Sequence, residues 1–263
     1  MPRSRFILAA ALIAASALLA ARFVPAKSGA SAAGPGADTS LVRIGRGEGS
    51  AGAFVARPAG SQPVPAIVVV HEWWGLNGQI RDVAIRLARQ GYLAIVPDLY
   101  HGKVADDPMR AHELVRGLEQ DEALATLGAA VAWIRAQPRT AKSKIAAIGF
   151  CMGGGLAQAM GLRGDDIAAV IMFYGTPEND PERLAKLRVP LQAHFGEQDD
   201  GIPRKRVDEF RSALEKLGKT HEVYVYPGAG HAFMHDGVPS YRPDAARQAW
   251  ARTLAFLQKH LKG

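Results

Sequence analysis

The chain has a single cysteine in 263 residues, Cys151, so it forms no intramolecular disulfide. It has no Lys/Arg run of the kind that marks nucleic-acid binding and no basic stripe interleaved with aromatics, despite a net charge of +7. That excludes nucleic acid as an expected partner. No internal period and no heptad pattern occurs, which excludes solenoids and coiled coils. The first 22 positions carry no acidic residue, and no uninterrupted apolar run reaches the roughly 20 residues of a membrane span.

The acid-free start has the pattern of an export signal. Pro2-Arg3-Ser4-Arg5 is a short cationic region, and Phe6 to Ala21 is a sixteen-residue stretch of apolar and small side chains. Loss of Arg3, Arg5 and Arg22 lowers the net charge from +7 to +4, ordinary for a secreted domain. Small residues around Ala20-Ala21 or Pro25-Ala26 suit cleavage. Residues 1–26 therefore read as a signal peptide or, left uncleaved, as an N-terminal anchor and the chain's one route to a membrane. No cysteine follows the apolar stretch, which excludes a lipid-modified cysteine. Residues 27–40, nearly all Gly, Ala, Ser and Pro to Asp38, read as a flexible linker, and 41–263 as one folded domain. The expected location is periplasmic or secreted. In an oxidising compartment an unpaired thiol is either inert and buried or kept for chemistry.

Within the domain, short apolar runs alternate with helical periods. Leu41–Ile44 and Ala53–Ala56 flank a Gly-rich turn and predict an antiparallel hairpin. Ala66–Val70, Tyr92–Val96, Lys144–Ile148, Ala168–Tyr174, Pro190–Phe195 and Glu222–Tyr226 read as strands, the first uniformly apolar as if covered on both faces. Helices are predicted over 80–89, 109–118, 122–136, 155–162, 205–217 and 245–261. This alternation predicts an α/β fold, a mostly parallel sheet of about eight strands with helices on both faces, and places sites in loops after strands.

Cys151 lies in such a place. Gly149-Phe150-Cys151-Met152-Gly153-Gly154 is a nucleophile-elbow pattern with a thiol at its centre, preceded by a strand and followed by a small-residue helix. A thiol nucleophile needs a base, an orienting carboxylate and an oxyanion hole. The loop after strand 190–195 offers Asp199, favoured over Asp200 by its spacing from Gly196 and Ile202-Pro203; the loop after strand 222–226 offers His231. Nucleophile, acid, then histidine is the chain order of α/β-hydrolases. His112, His221 and His260 fall on predicted surfaces. The backbone N–H of Met152 and one from the loop after Val70, with Trp73 the donor, would form the oxyanion hole. Trp73-Trp74 would line a pocket mouth. His71-Glu72 lacks the second histidine of a zinc-protease helix, since Gly75 stands there, and no metal is expected.

Taken together, His71-Glu72-x-x-Gly75, Pro97-Asp98-Leu99-Tyr100, the elbow, Gly196-x-x-Asp199 and Gly230-His231-Ala232-Phe233 resemble the dienelactone hydrolases of the α/β-hydrolase superfamily. The resemblance covers about 41–261. It implies a Cys151–His231–Asp199 triad, with Glu72 beside the nucleophile taking part in thiol activation; pairing of Glu72 with an arginine is its alternative role. It also implies a monomeric hydrolase of small esters or lactones that needs no cofactor. Tyr100, Lys103, Tyr174 and His235, with Trp74, are the candidate substrate contacts. The two arginines with which the family holds a substrate carboxylate are replaced by Gly102 and His235, so dienelactone itself is not the expected substrate. The alternatives are an acyltransferase using the same triad, and an exported binding protein that turns over nothing.

Overall fold

The computed structural model describes residues 36–263; the signal and most of the linker lie outside the described residues. Two antiparallel strands, β1 (Ala37–Ile44) and β2 (Ala51–Pro58), open an eight-stranded sheet of order β1-β2-β4-β3-β5-β6-β7-β8. The remaining strands are β3 (Val64–Val70), β4 (Leu93–Pro97), β5 (Thr140–Phe150), β6 (Ala169–Phe173), β7 (Leu191–Gly196) and β8 (His221–Tyr226). From β4 onward every neighbouring pair is parallel. The first strand starts earlier than the predicted boundary at 41, because Ala37 to Ser40 already pair with Pro58 to Val55. Regular backbone pairing overrides the linker-like composition there.

The helices are α1 (Gly78–Arg89), α2 (Pro108–Arg116), α3 (Gln120–Ala136), α4 (Met152–Arg163), a short α5 (Pro181–Leu184) that the sequence did not predict, α6 (Arg204–Lys216) and α7 (Pro243–Leu257). The last ends in a π-helical turn over Gln258–Lys262, where a straight helix to Leu261 was expected. The apolar run of β3 is divided by strand alternation. Ala66, Val68 and Val70 face the core under α2–α6, whereas Ile67 and Val69 face the core under α1 and α7. Each fully buried aliphatic side chain adds roughly 1.5–3 kcal/mol, so an unbroken apolar strand stabilises both layers.

All the loops that follow the parallel strands open at one edge of the sheet. Ala37 lies at the opposite edge: it pairs with Pro58, while Ala53, at the other end of β2, pairs with Pro97 at the carboxyl end of β4. The linker therefore joins the domain away from those loops. Among the described residues no helix is long and apolar enough to cross a membrane.

Candidate active site

Cys151 joins β5 to α4 at φ 52°, ψ −121°, a left-handed conformation costing on the order of 1–3 kcal/mol for a residue with a side chain. Two glycines make the turn possible. A Cβ on Gly149 would sit 1.9 Å from the Gly153 carbonyl oxygen, and one on Gly153 would sit 2.4 Å from that of Val70. The Cys151 N–H donates to Phe173 O at 3.0 Å, which fixes the elbow against β6. Its side chain stays partly exposed, at the amino end of a twelve-residue helix whose dipole favours negative charge.

Three loops converge on the thiol. His231 Nε2 is 3.1 Å from Cys151 Sγ, and its Nδ1–H donates to Asp199 Oδ2 at 2.8 Å. Asp199 is buried, and its Oδ1 accepts the N–H groups of Gly201 and Ile202, which fixes the carboxylate's orientation. Asp200 is exposed. Burial acts to lower the His231 pKa, but hydrogen bonds to Asp199 and Cys151 outweigh it and push the value up to about 10. At neutral pH the imidazole therefore holds a proton on each nitrogen.

Other histidines are engaged elsewhere. His71 is buried, donates from Nδ1 to the Glu72 carbonyl at 2.6 Å and accepts the Leu99 N–H on Nε2; burial lowers its pKa, which keeps it neutral. His194 is stacked on Phe173, is hydrogen-bonded to Gln192 and Tyr226, and is pushed down to about 3 by burial and by Arg252. His112 is exposed and meets the ring of Trp73 edge-on at 4.9 Å.

The N–H groups of Met152 and Trp73 have no acceptor among the described residues, as oxyanion donors require. Trp73 and Trp74 are partly buried with ring centroids 4.9 Å apart, and Lys103 is exposed. Tyr100 is buried, with its hydroxyl on Met152 Sδ at 3.4 Å.

Two candidate substrate contacts bond to Glu72 in the structure. Tyr174 has no exposed surface, and its hydroxyl donates to Glu72 Oε1 at 2.9 Å. His235 is also buried, and its Nδ1 donates to Glu72 Oε2 at 3.1 Å. Both side chains are turned onto a carboxylate that is itself buried and needs such partners. No hydrogen bond of Glu72 reaches Cys151, and its partner is a histidine rather than an arginine. The Tyr174 ring also packs 5.1 Å from that of His231. These contacts span 102 and 163 residues of chain, and no local pattern in the sequence signals them. Among the described residues no cluster of His, Cys, Asp or Glu could hold a metal ion.

Residues 51–261 match the model of the dienelactone hydrolase family. The chain is 32% identical over 233 residues to a Methylorubrum extorquens protein named "Putative carboxymethylenebutenolidase", covering 83% of this chain and 80% of that protein. It is also 32% identical to a Bradyrhizobium protein named "Probable 2-oxo-3-(5-oxofuran-2-ylidene)propanoate lactonase", over 84% of this chain and 94% of that one. The crystal structure of a "Putative Dienelactone Hydrolase" from Klebsiella pneumoniae superposes with a TM-score of 0.77 at 31% identity, covering 84% of this chain and 98% of the other. With its α/β-hydrolase sheet and elbow, the chain belongs to the dienelactone hydrolase family, hydrolases that act on lactones and esters.

Proposed function

We propose that the protein hydrolyses uncharged carboxylic esters or lactones through a thioacyl intermediate on Cys151. The observation that carries this reading is the hydrogen-bonded run from Sγ through His231 to Asp199, at 3.1 and 2.8 Å. Sγ attacks the substrate carbonyl carbon, and the carbonyl electron pair moves to oxygen, where the Met152 and Trp73 N–H groups receive it. Collapse breaks the bond to the alkoxy oxygen, which takes the proton from His231 Nε2. Water then gives a proton to Nε2 and attacks the thioester, which releases the acid and restores the thiolate facing the imidazolium. Asp199 holds the ring in register throughout.

The preference for uncharged acyl groups follows from what stands at the two positions where the family carries carboxylate-binding arginines. Position 102 is glycine, and the Nδ1 of His235 is bound to Glu72, so neither supplies the guanidinium fork that grips a carboxylate. Incubation with a panel of short-chain esters and lactones, followed by mass detection of the peptide that contains Cys151, tests the scheme. Acyl-cysteine should form and decay with turnover. Turnover with the acyl group on no residue, or on another residue, would sink it.

The imidazolium also predicts how fast the thiol alkylates. At neutral pH iodoacetamide should label native Cys151 at least about tenfold faster than the denatured chain, whose free thiol of pKa about 8.5 is mostly protonated there. The difference should be lost as pH rises through about 10, where His231 loses its proton. A native rate no faster than the denatured one would show that the imidazole does not act on the sulfur.

A further inference from the structure

Two of the three exposed large apolar side chains among the described residues, Leu41 at 71% and Val104 at 48% exposure, line the same groove. It lies at the carboxyl end of β4, between β1, β2, the start of α1 and the loop that follows β4, and has a volume of about 400 Å³. Val42 and Leu76 extend the apolar lining, and Arg43 and Arg81 bring two guanidinium groups to it. Arg43 donates to the carbonyl and hydroxyl of Ser50, and Arg81 lies 5.6 Å from the Phe54 ring. Neither meets a carboxylate among the described residues.

The one acid on this groove is already engaged. Asp98 accepts the Tyr100 N–H on Oδ1 and the Gly102 N–H on Oδ2, so both oxygens are turned into the loop they brace. The amino end of α1, positive by its dipole, begins between Leu76 and Arg81. Gly102 leaves the wall open, with no atom within 4 Å of where a Cβ would stand. An apolar trough with surplus positive charge calls for a ligand with an apolar body and one anionic group. The groove's lining includes none of Cys151, Asp199 and His231. Within the loop over 98–105, Gly102 and Val104 line the groove, whereas the Tyr100 hydroxyl reaches Met152, the residue after Cys151.

We propose that this groove binds a medium-chain carboxylate, its alkyl chain on Leu41, Leu76 and Val104 and its carboxylate on Arg43 and Arg81. The volume is in the range of small-ligand sites and is sufficient for an eight-carbon acid. The assignment does not depend on the thioacyl scheme.

Calorimetric titration of the full chain with octanoate, after Cys151 has been blocked with iodoacetamide, tests it. One octanoate should bind, octanamide of equal length should bind at least tenfold more weakly, and added salt should weaken octanoate alone. Arg43→Gln and Arg81→Gln should each weaken octanoate about tenfold, the effect of losing one charge-assisted hydrogen bond. The octanamide comparison on the parent chain decides the matter if a variant misfolds. Absence of octanoate binding, equal binding of the amide, affinity unchanged in both variants, or binding seen only before Cys151 is blocked would each overturn the proposal.

Discussion

Cys151→Ala should lower kcat/KM for p-nitrophenyl acetate by at least about 10⁴-fold while leaving the melting temperature within a few degrees. The size follows from how such groups act: nucleophile and base work as a unit, so removing one member forfeits most of the acceleration that depends on the pair. The unchanged stability follows from position. The side chain is partly exposed, and alanine inherits the same φ of 52° that cysteine already endures. His231→Ala should fall by a similar factor, and the double variant should fall little further, because the second loss removes nothing that still functions. Retention of activity within tenfold in Cys151→Ala would show that another group does the chemistry.

The second large effect is on folding. Gly149→Ala places a methyl group 1.9 Å from the Gly153 carbonyl oxygen, backbone against backbone, where no rotamer change relieves it. Either the β5–α4 elbow opens or the chain fails to fold. A penalty of about 4–5 kcal/mol, at the high end for single substitutions, would remove a large part of a stability of about 5–15 kcal/mol. For a domain of this size that corresponds to a fall in Tm of about 10–20 °C, with activity lost because Cys151 leaves its place. Gly155→Ala is the internal control. It lies in α4 just past the elbow, its nearest neighbour would be Thr176 O at 3.9 Å, and alanine favours helix by about 1 kcal/mol over glycine. Thermal melts that place the two variants together would refute the close-packed elbow.

Much of the fold was legible because the signals are local. β3 reads as buried on both faces from its unbroken Ala66–Val70 run, and the elbow reads from its glycines, whose necessity the 1.9 and 2.4 Å approaches explain. Asp199 and His231 were legible because each follows a strand, and in a parallel sheet all such loops reach one edge. The start of β1 was not legible, since the Ala-Asp-Thr-Ser of Ala37 to Ser40 is held by pairing with β2 rather than by its own propensity. Short α5 and the terminal π-turn likewise depend on what they pack against.

The sequence by itself singled out Cys151, His231 and Asp199 as candidates, because each follows a strand and such loops meet at one end of a parallel sheet. The resemblance carried by its motifs also implied that two carboxylate-binding arginines give way to Gly102 and His235 here. Only the tertiary structure decided what the neighbouring side chains do. Tyr174 and His235 are held on Glu72, because a carboxylate buried in the interior must find donors, and these come from loops 102 and 163 residues further along the chain. Likewise, Arg43 and Arg81 become neighbours on one groove only when β1 and α1 are folded to the same end of the sheet.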